Sequence, residues 1–212
     1  MSMTFILGGA RSGKSRFAQE LAAKQRGKVL FVATCEPLDE EMDARIKAHQ
    51  RSRPRNWKTL ETPTNVATAM KGKIGDAGVV IIDCMTLLVS NLMGTEEPDA
   101  ETLEKKVASE LEELTGFIRT SKAHFIIVSN EVGLGLVPPY PAGRVYRDAL
   151  GMANQMLARN ADEVYFMVAG IPIQLKALSM QKLTKYRRTK TVRGEPFVKL
   201  RTGLSNHERL LR

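Results

Sequence analysis

The eight residues Gly8-Gly9-Ala10-Arg11-Ser12-Gly13-Lys14-Ser15 constrain this chain more than any other stretch of its length. They follow the apolar run TFIL (4–7) and precede KSRFAQELAAKQ, which reads as a helix. The stretch fits G-x-x-x-x-G-K-[ST], and strand, tight turn and helix in that order are the context such a pattern needs. Backbone amides of the turn and the N-terminus of the helix would face a polyphosphate. Lys14 would reach the outer phosphates and the Ser15 hydroxyl would ligate magnesium. The chain is thereby expected to hold a nucleotide at the end of its first strand.

The rest of the body continues the alternation. KVLFVAT (28–34), GVVIIDC (78–84), AHFIIVSNE (123–131) and DEVYFMVAG (162–170) are short apolar runs that predict strands. Between them, residues 39–50, 100–121 and 144–161 read as helices; in the second, Leu103, Val107, Leu111 and Leu114 recur at helical spacing. Continuous apolar strands separated by helices predict a mostly parallel sheet covered on both faces, a three-layer α/β fold. GLGLVPPYPAG (133–143) is a Gly/Pro loop just past a strand end, where open α/β sheets place their sites.

Charge divides the chain sharply. The formal net charge is +9, a nucleic-acid signal only if it lies on the folded body. From Lys176 onward there are eleven of the 32 Lys and Arg residues and two of the 23 Asp and Glu residues, so the preceding 175 residues are neutral, with 21 of each sign. The expected organisation is a domain at 1–175 and a basic extension at 176–212. No apolar run approaches the roughly 18 residues of a membrane helix. The N-terminus lacks the features of a signal peptide. Cys35 and Cys84 form no metal-like pair with the histidines, so a reduced, cytoplasmic protein is expected.

Several single residues could carry chemistry. Asp83 ends the run VVIID and is the candidate carboxylate for a magnesium site, or else a cap for the next turn. Glu131, after FIIVSN, is either a general base or substrate-binding group, or a loop cap. His49 lies in ARIKAHQRSRPRN, with Arg45, Lys47, Arg51, Arg53 and Arg55 around it. It shares a helix face with Met42 and Ile46, which suits a packed histidine as well as one aimed at a nucleotide. A neutral imidazole among cations could attack an α-phosphate, with pyrophosphate leaving. His124 opens an apolar strand and is expected to be packed or edge-exposed. His207 has no local partner, and Trp57 could stack on a base or simply anchor local packing.

FILGGARSGKSRFAQELA, IIDCMTLLVSNL, SNEVGLGLVP and RDALGMANQMLARNADEVYFMVAGIPIQLK, together with the segment around His49, resemble the bifunctional cobinamide kinase / cobinamide-phosphate guanylyltransferase family over residues 4–176. The resemblance implies a P-loop NTPase fold of RecA-like type and a homotrimer. It implies phosphorylation of the aminopropanol hydroxyl of adenosylcobinamide by ATP or GTP. Transfer of GMP from GTP to that phosphate then gives adenosylcobinamide-GDP and pyrophosphate. It further implies that His49 carries the GMP and that Gly8 to Ser15 hold the phosphates. Ala33, Thr34, Cys35, Gln50, Arg51, Ser52, Arg53, Glu61 and Asp83 would line the nucleotide. A carboxylate at Glu61 suits the paired N–H donors of guanine. The loop 133–143 is a candidate for part of the corrinoid surface. The alternatives are a P-loop kinase with only one of the two activities, or a P-loop nucleic-acid-binding ATPase that uses the basic tail; the neutral body disfavours the latter, so no nucleic-acid partner and no membrane span are expected.

Overall fold

The computed structural model describes residues 2–36, 47, 50–51, 53–94 and 99–178. In chain order the described elements are β1 (Ser2–Gly8), α1 (Lys14–Lys24), β2 (Lys28–Ala33), β3 (Lys58–Glu61), α2 (Val66–Met70) and β4 (Ala77–Asp83). They continue as α3 (Met85–Met93), α4 (Ala100–Thr120), β5 (His124–Val128), α5 (Pro141–Asn160), β6 (Glu163–Val168) and β7 (Ile171–Gln174). The strands form one sheet in the order β3-β2-β4-β5-β1-β6-β7. Neighbours are parallel except for β6 and β7, which form an antiparallel hairpin.

Alternate residues of each central strand feed two cores. Phe5, Val80, Ile82, Phe125 and Ile127 pack on one face with Leu88 of α3, Leu111 of α4 and Leu150 of α5. Ile6, Val79, Ile81, Ile126 and Val128 point the other way, toward Ala18 and Ala22 of α1. A strand covered on both faces has no solvent side, which is why VVII and FIIV are apolar without a break. This is the expected three-layer arrangement with a mostly parallel sheet.

The helices start where local chemistry lets them. The Asp99 carboxylate accepts from the Thr102 amide at 2.9 Å and caps α4. Pro141 occupies the first turn of α5, where its missing N–H costs nothing. For α2 the cap comes from elsewhere. Glu110 of α4 is 8 % exposed, and its carboxylate accepts from the amides of Asn65 at 2.9 Å and Val66 at 2.8 Å. An acid on one helix thereby satisfies the orphan donors of another.

The structure amends the sequence expectations in places. The strand expected over 123–131 ends at Val128, although Ser129 and Glu131 still donate to Ile6 and Gly8. The strand expected over 162–170 ends at Val168, because Ala169 and Gly170 take positive φ values of 50° and 83° and turn the chain back as β7. The elements β3, β7, α2 and α3 were not expected. Of the helix expected over 39–50, Lys47 and Gln50 are described and helical, and the rest lies outside the described residues. The expected boundary at 175/176 falls in a helical turn ending at 178, and residues 179–212, His207 included, lie outside the described residues. Among the described residues no helix is long and apolar enough to cross a membrane.

Candidate active site

The C-terminal ends of the parallel strands converge on one edge of the sheet, and the candidate residues gather there. β1 runs into Gly8, where a Cβ would lie 2.6 Å from the Met167 carbonyl oxygen, so only glycine fits beside β6. Arg11 and Gly13, with φ values of 54° and 93°, curve the loop into the start of α1. Lys14 folds back over it: the side chain is 8 % exposed and its Nζ donates to the Gly9 carbonyl at 2.6 Å. Burial lowers the Lys14 pKa, against the opposing influence of Cys84 and Asp83. Ser15 is half-buried on the first turn of α1.

Asp83 ends β4, level with Ala33 of β2 and Val128 of β5, and a cis peptide bond joins it to Cys84. Its charge reaches both Lys14 and Arg53, opposing the effect of burial on each. It also raises the Cys35 thiol, after burial, which is the larger cause. Desolvation, with Asp83 second, pushes the Cys84 thiol up to about 12, so it stays protonated at neutral pH. Thr34 is fully buried and locks the neighbouring strand end: its hydroxyl donates to the Cys84 carbonyl at 2.7 Å and accepts from the Cys84 amide at 2.9 Å. Asn91 donates to the carbonyls of Thr34 and Pro63. The Thr34 side chain thus supports the wall and is already engaged, while Ala33 is 7 % exposed and Cys35 half-buried.

Farther along the sheet, at β3 and the segment that leads into it, lies a cavity of about 620 Å3. Among the described residues that line it, Lys47, Arg51, Arg53 and Arg55 bring four cations against the single carboxylate of Glu61, with Trp57 on the wall. Gln50 donates to Glu61 Oε1 at 2.9 Å. The Arg53 guanidinium lies 3.7 Å from the centroid of the core residue Phe31, a cation–π stack. Its Nε and Nη1 are buried, with no hydrogen-bond partner among the described residues. Burial lowers the Arg53 pKa, opposed first by Asp83 and then by Glu61. A flat, stacked guanidinium with unspent donors suits a phosphate or carboxylate oxygen.

Other candidates are placed differently. One Glu131 oxygen accepts from the Gly133 amide at 2.7 Å, so this acid caps its own loop. In the loop that follows, Leu134, Leu136, Val137 and Tyr140 are exposed. His124 is at the opposite edge of the sheet, bonded to the hydroxyls of Ser2 and Thr4. Trp57 packs against the α1-side core while lining the cavity. His49 and Ser52 lie outside the described residues. Three contributors had escaped the sequence: Phe31 as a stacking surface, Asn91 as a brace, and Gly170, whose amide donates to Ser12.

A phosphate loop, a strand-end aspartate and a cationic cavity are common to many nucleotide enzymes, and comparison with known proteins narrows the choice. The family model described as cobinamide kinase / cobinamide phosphate guanyltransferase matches residues 4–175. The chain belongs to this family. The bifunctional adenosylcobalamin biosynthesis protein CobP of Pseudomonas aeruginosa is 41% identical over 172 residues, covering 81% of this chain and 95% of the relative. The protein of that description named CobU is 37% identical in Escherichia coli K12 and 36% in Salmonella typhimurium, each over 181 residues, 82% of this chain and 99% of the relative. The cobinamide kinase family match ends at residue 175, so the basic segment lies beyond it.

Proposed function

We propose that this chain catalyses two consecutive reactions of adenosylcobalamin assembly. In the first, the aminopropanol hydroxyl of adenosylcobinamide attacks the γ-phosphate of ATP or GTP, the bond to the β-phosphate breaks, and the hydroxyl proton goes to solvent. In the second, an imidazole nitrogen of His49 attacks the α-phosphate of GTP; an N–P bond forms as pyrophosphate leaves. An oxygen of adenosylcobinamide phosphate then takes the GMP from His49, giving adenosylcobinamide-GDP and freeing the imidazole.

The observation that supports this most is the reach of Asp83, whose charge acts on both Lys14 of the phosphate loop and Arg53 of the cationic cavity. A nucleotide lying between them would meet the amides of Gly8 to Ser15 and the Lys14 ammonium at its phosphates. Arg51 and Arg53 would offset charge on the transferring phosphorus, and Ser52 would line the nucleotide with them. Ala33, Thr34, Cys35 and Gln50 would form the wall, and Glu61 would accept from guanine N1–H and N2–H. Ser15 and Asp83, both half-buried, are hard oxygen donors of the kind Mg2+ takes in ones and twos beside water and phosphate. When bound, Mg2+ would neutralise phosphate charge. We further assign 1–175 as the catalytic domain, 176–212 as an extension, a homotrimeric assembly, a cytoplasmic setting and no nucleic-acid partner.

The test is incubation with Mg2+ and GTP labelled at the α-phosphate, then denaturation. Acid-labile, base-stable label on the wild type and none on His49→Ala is expected. An unlabelled wild type would remove the guanylyl-transfer step.

A further inference from the structure

The tip of the β6–β7 hairpin touches the phosphate loop. Val168 pairs with Ile171, leaving Ala169 and Gly170 as a two-residue turn with positive φ at both positions, the pattern of a type I′ hairpin. In such a turn the ladder bonds belong to the flanking pair, so the N–H of the second turn residue is left for another acceptor. Here that acceptor is the Ser12 carbonyl, 3.0 Å from the Gly170 nitrogen. The contact is close: a Cβ on Gly13 would lie 3.4 Å from the Gly170 Cα.

This bond fixes more than a carbonyl. A trans peptide is planar, and its C=O and N–H point in opposite directions. With the Ser12 oxygen turned toward the hairpin, the Gly13 N–H is turned away from it, and it donates to no backbone acceptor among the described residues. Glycine at 13 tolerates either orientation of this peptide. The flipped form would present a carbonyl oxygen where the loop should present a donor, and an anion would be repelled by it.

We propose that Gly170 is a positioning residue for the phosphate loop: its amide holds the Ser12–Gly13 peptide in the orientation that offers the Gly13 N–H to a nucleotide phosphate. The inference rests on the nucleotide-site assignment above and extends it to a hairpin that the loop motif does not include. Gly170 acts through Ser12 and Gly13 and need not touch the nucleotide. The φ of 83° at Gly170 suits glycine and is tolerated by asparagine, whereas a β-branched residue opposes it. A side chain there would have room, since the nearest atom is the flexible end of Arg16 at 3.4 Å.

The experiment measures the affinity of the full-length chain for GTP with Mg2+, and the melting temperature without nucleotide. Four proteins are compared: the wild type, Gly170→Asn, Gly170→Val, and a backbone ester with glycolic acid at position 170, which replaces only the N–H by oxygen. Loss of one donor that orients a phosphate-facing amide should weaken GTP binding about tenfold in the ester protein. Gly170→Val should lose at least as much, while Gly170→Asn stays within about threefold, because asparagine keeps both the turn and the N–H. Wild-type affinity in the ester protein would overturn the proposal. So would a loss of affinity that merely follows the fall in melting temperature across the variants. A wild type that binds no GTP would instead remove the nucleotide-site assignment on which the inference stands.

Discussion

Thr34→Val and Thr34→Ser separate bonding from packing at the strand ends that carry the site. Thr34 is 0 % exposed, and its hydroxyl exchanges two hydrogen bonds with the Cys84 backbone, at 2.7 and 2.9 Å. Valine keeps the shape and loses both. The Cys84 amide is then buried without a partner, at roughly 1–3 kcal/mol. The Cys84 carbonyl keeps Leu88 N–H at 3.2 Å, so its loss is smaller, about 1 kcal/mol. A methyl in place of the hydroxyl returns about 1 kcal/mol. The net cost for valine is about 2 kcal/mol, whereas serine keeps both bonds and loses a methyl, about 1 kcal/mol. Urea unfolding at unchanged m-value should therefore rank threonine above serine above valine. Because Cys84 follows Asp83, valine should also weaken GTP binding, and serine should not. Valine matching the wild type in stability, with serine below it, would show that volume matters here and the hydroxyl does not.

Other consequences follow from the same geometry. Glu110→Ala strands the buried Val66 amide and the part-buried Asn65 amide at the start of α2 and should cost roughly 1–4 kcal/mol in urea unfolding, with Glu110→Gln in between. Burial lowers the His124 pKa, against the charges of Glu163 and Asp162, so the folded chain favours the neutral ring. The melting temperature should be level above about pH 6.5, the unfolded value, and fall as pH drops through the lower folded pKa; His124→Gln should flatten that limb. Arg53→Lys keeps the charge but loses the stack on Phe31 and the planar fork; GTP affinity should fall about tenfold, with the melting temperature nearly unchanged.

Legibility in the sequence depended on distance along the chain. The phosphate loop could be read because its eight residues are contiguous and its amides come from one turn. The five long apolar strands could be read because burial on both faces leaves no polar interruption. KTLE and IPIQ were missed for the opposite reason: they are edge strands of four residues, with exposed side chains at most positions and a proline in the second. In the sequence Glu131 suits catalysis and capping alike, and only the position of the Gly133 amide shows that its carboxylate is engaged by its own loop.

The sequence by itself therefore determined the α/β layering, the strand-end loop, the separation of a neutral body from a basic tail, and the family. These follow from short-range order: periodicity, composition and contiguous motifs. Tertiary structure decided which distant groups meet. It set the Thr34 hydroxyl on the Cys84 backbone, Glu110 on the start of α2, Arg53 on the ring of Phe31, and the Gly170 amide on Ser12. None of these pairs leaves a local signature, because each partner is ordinary in its own segment. Their energies arise only when the sheet brings two segments together and removes the water between them.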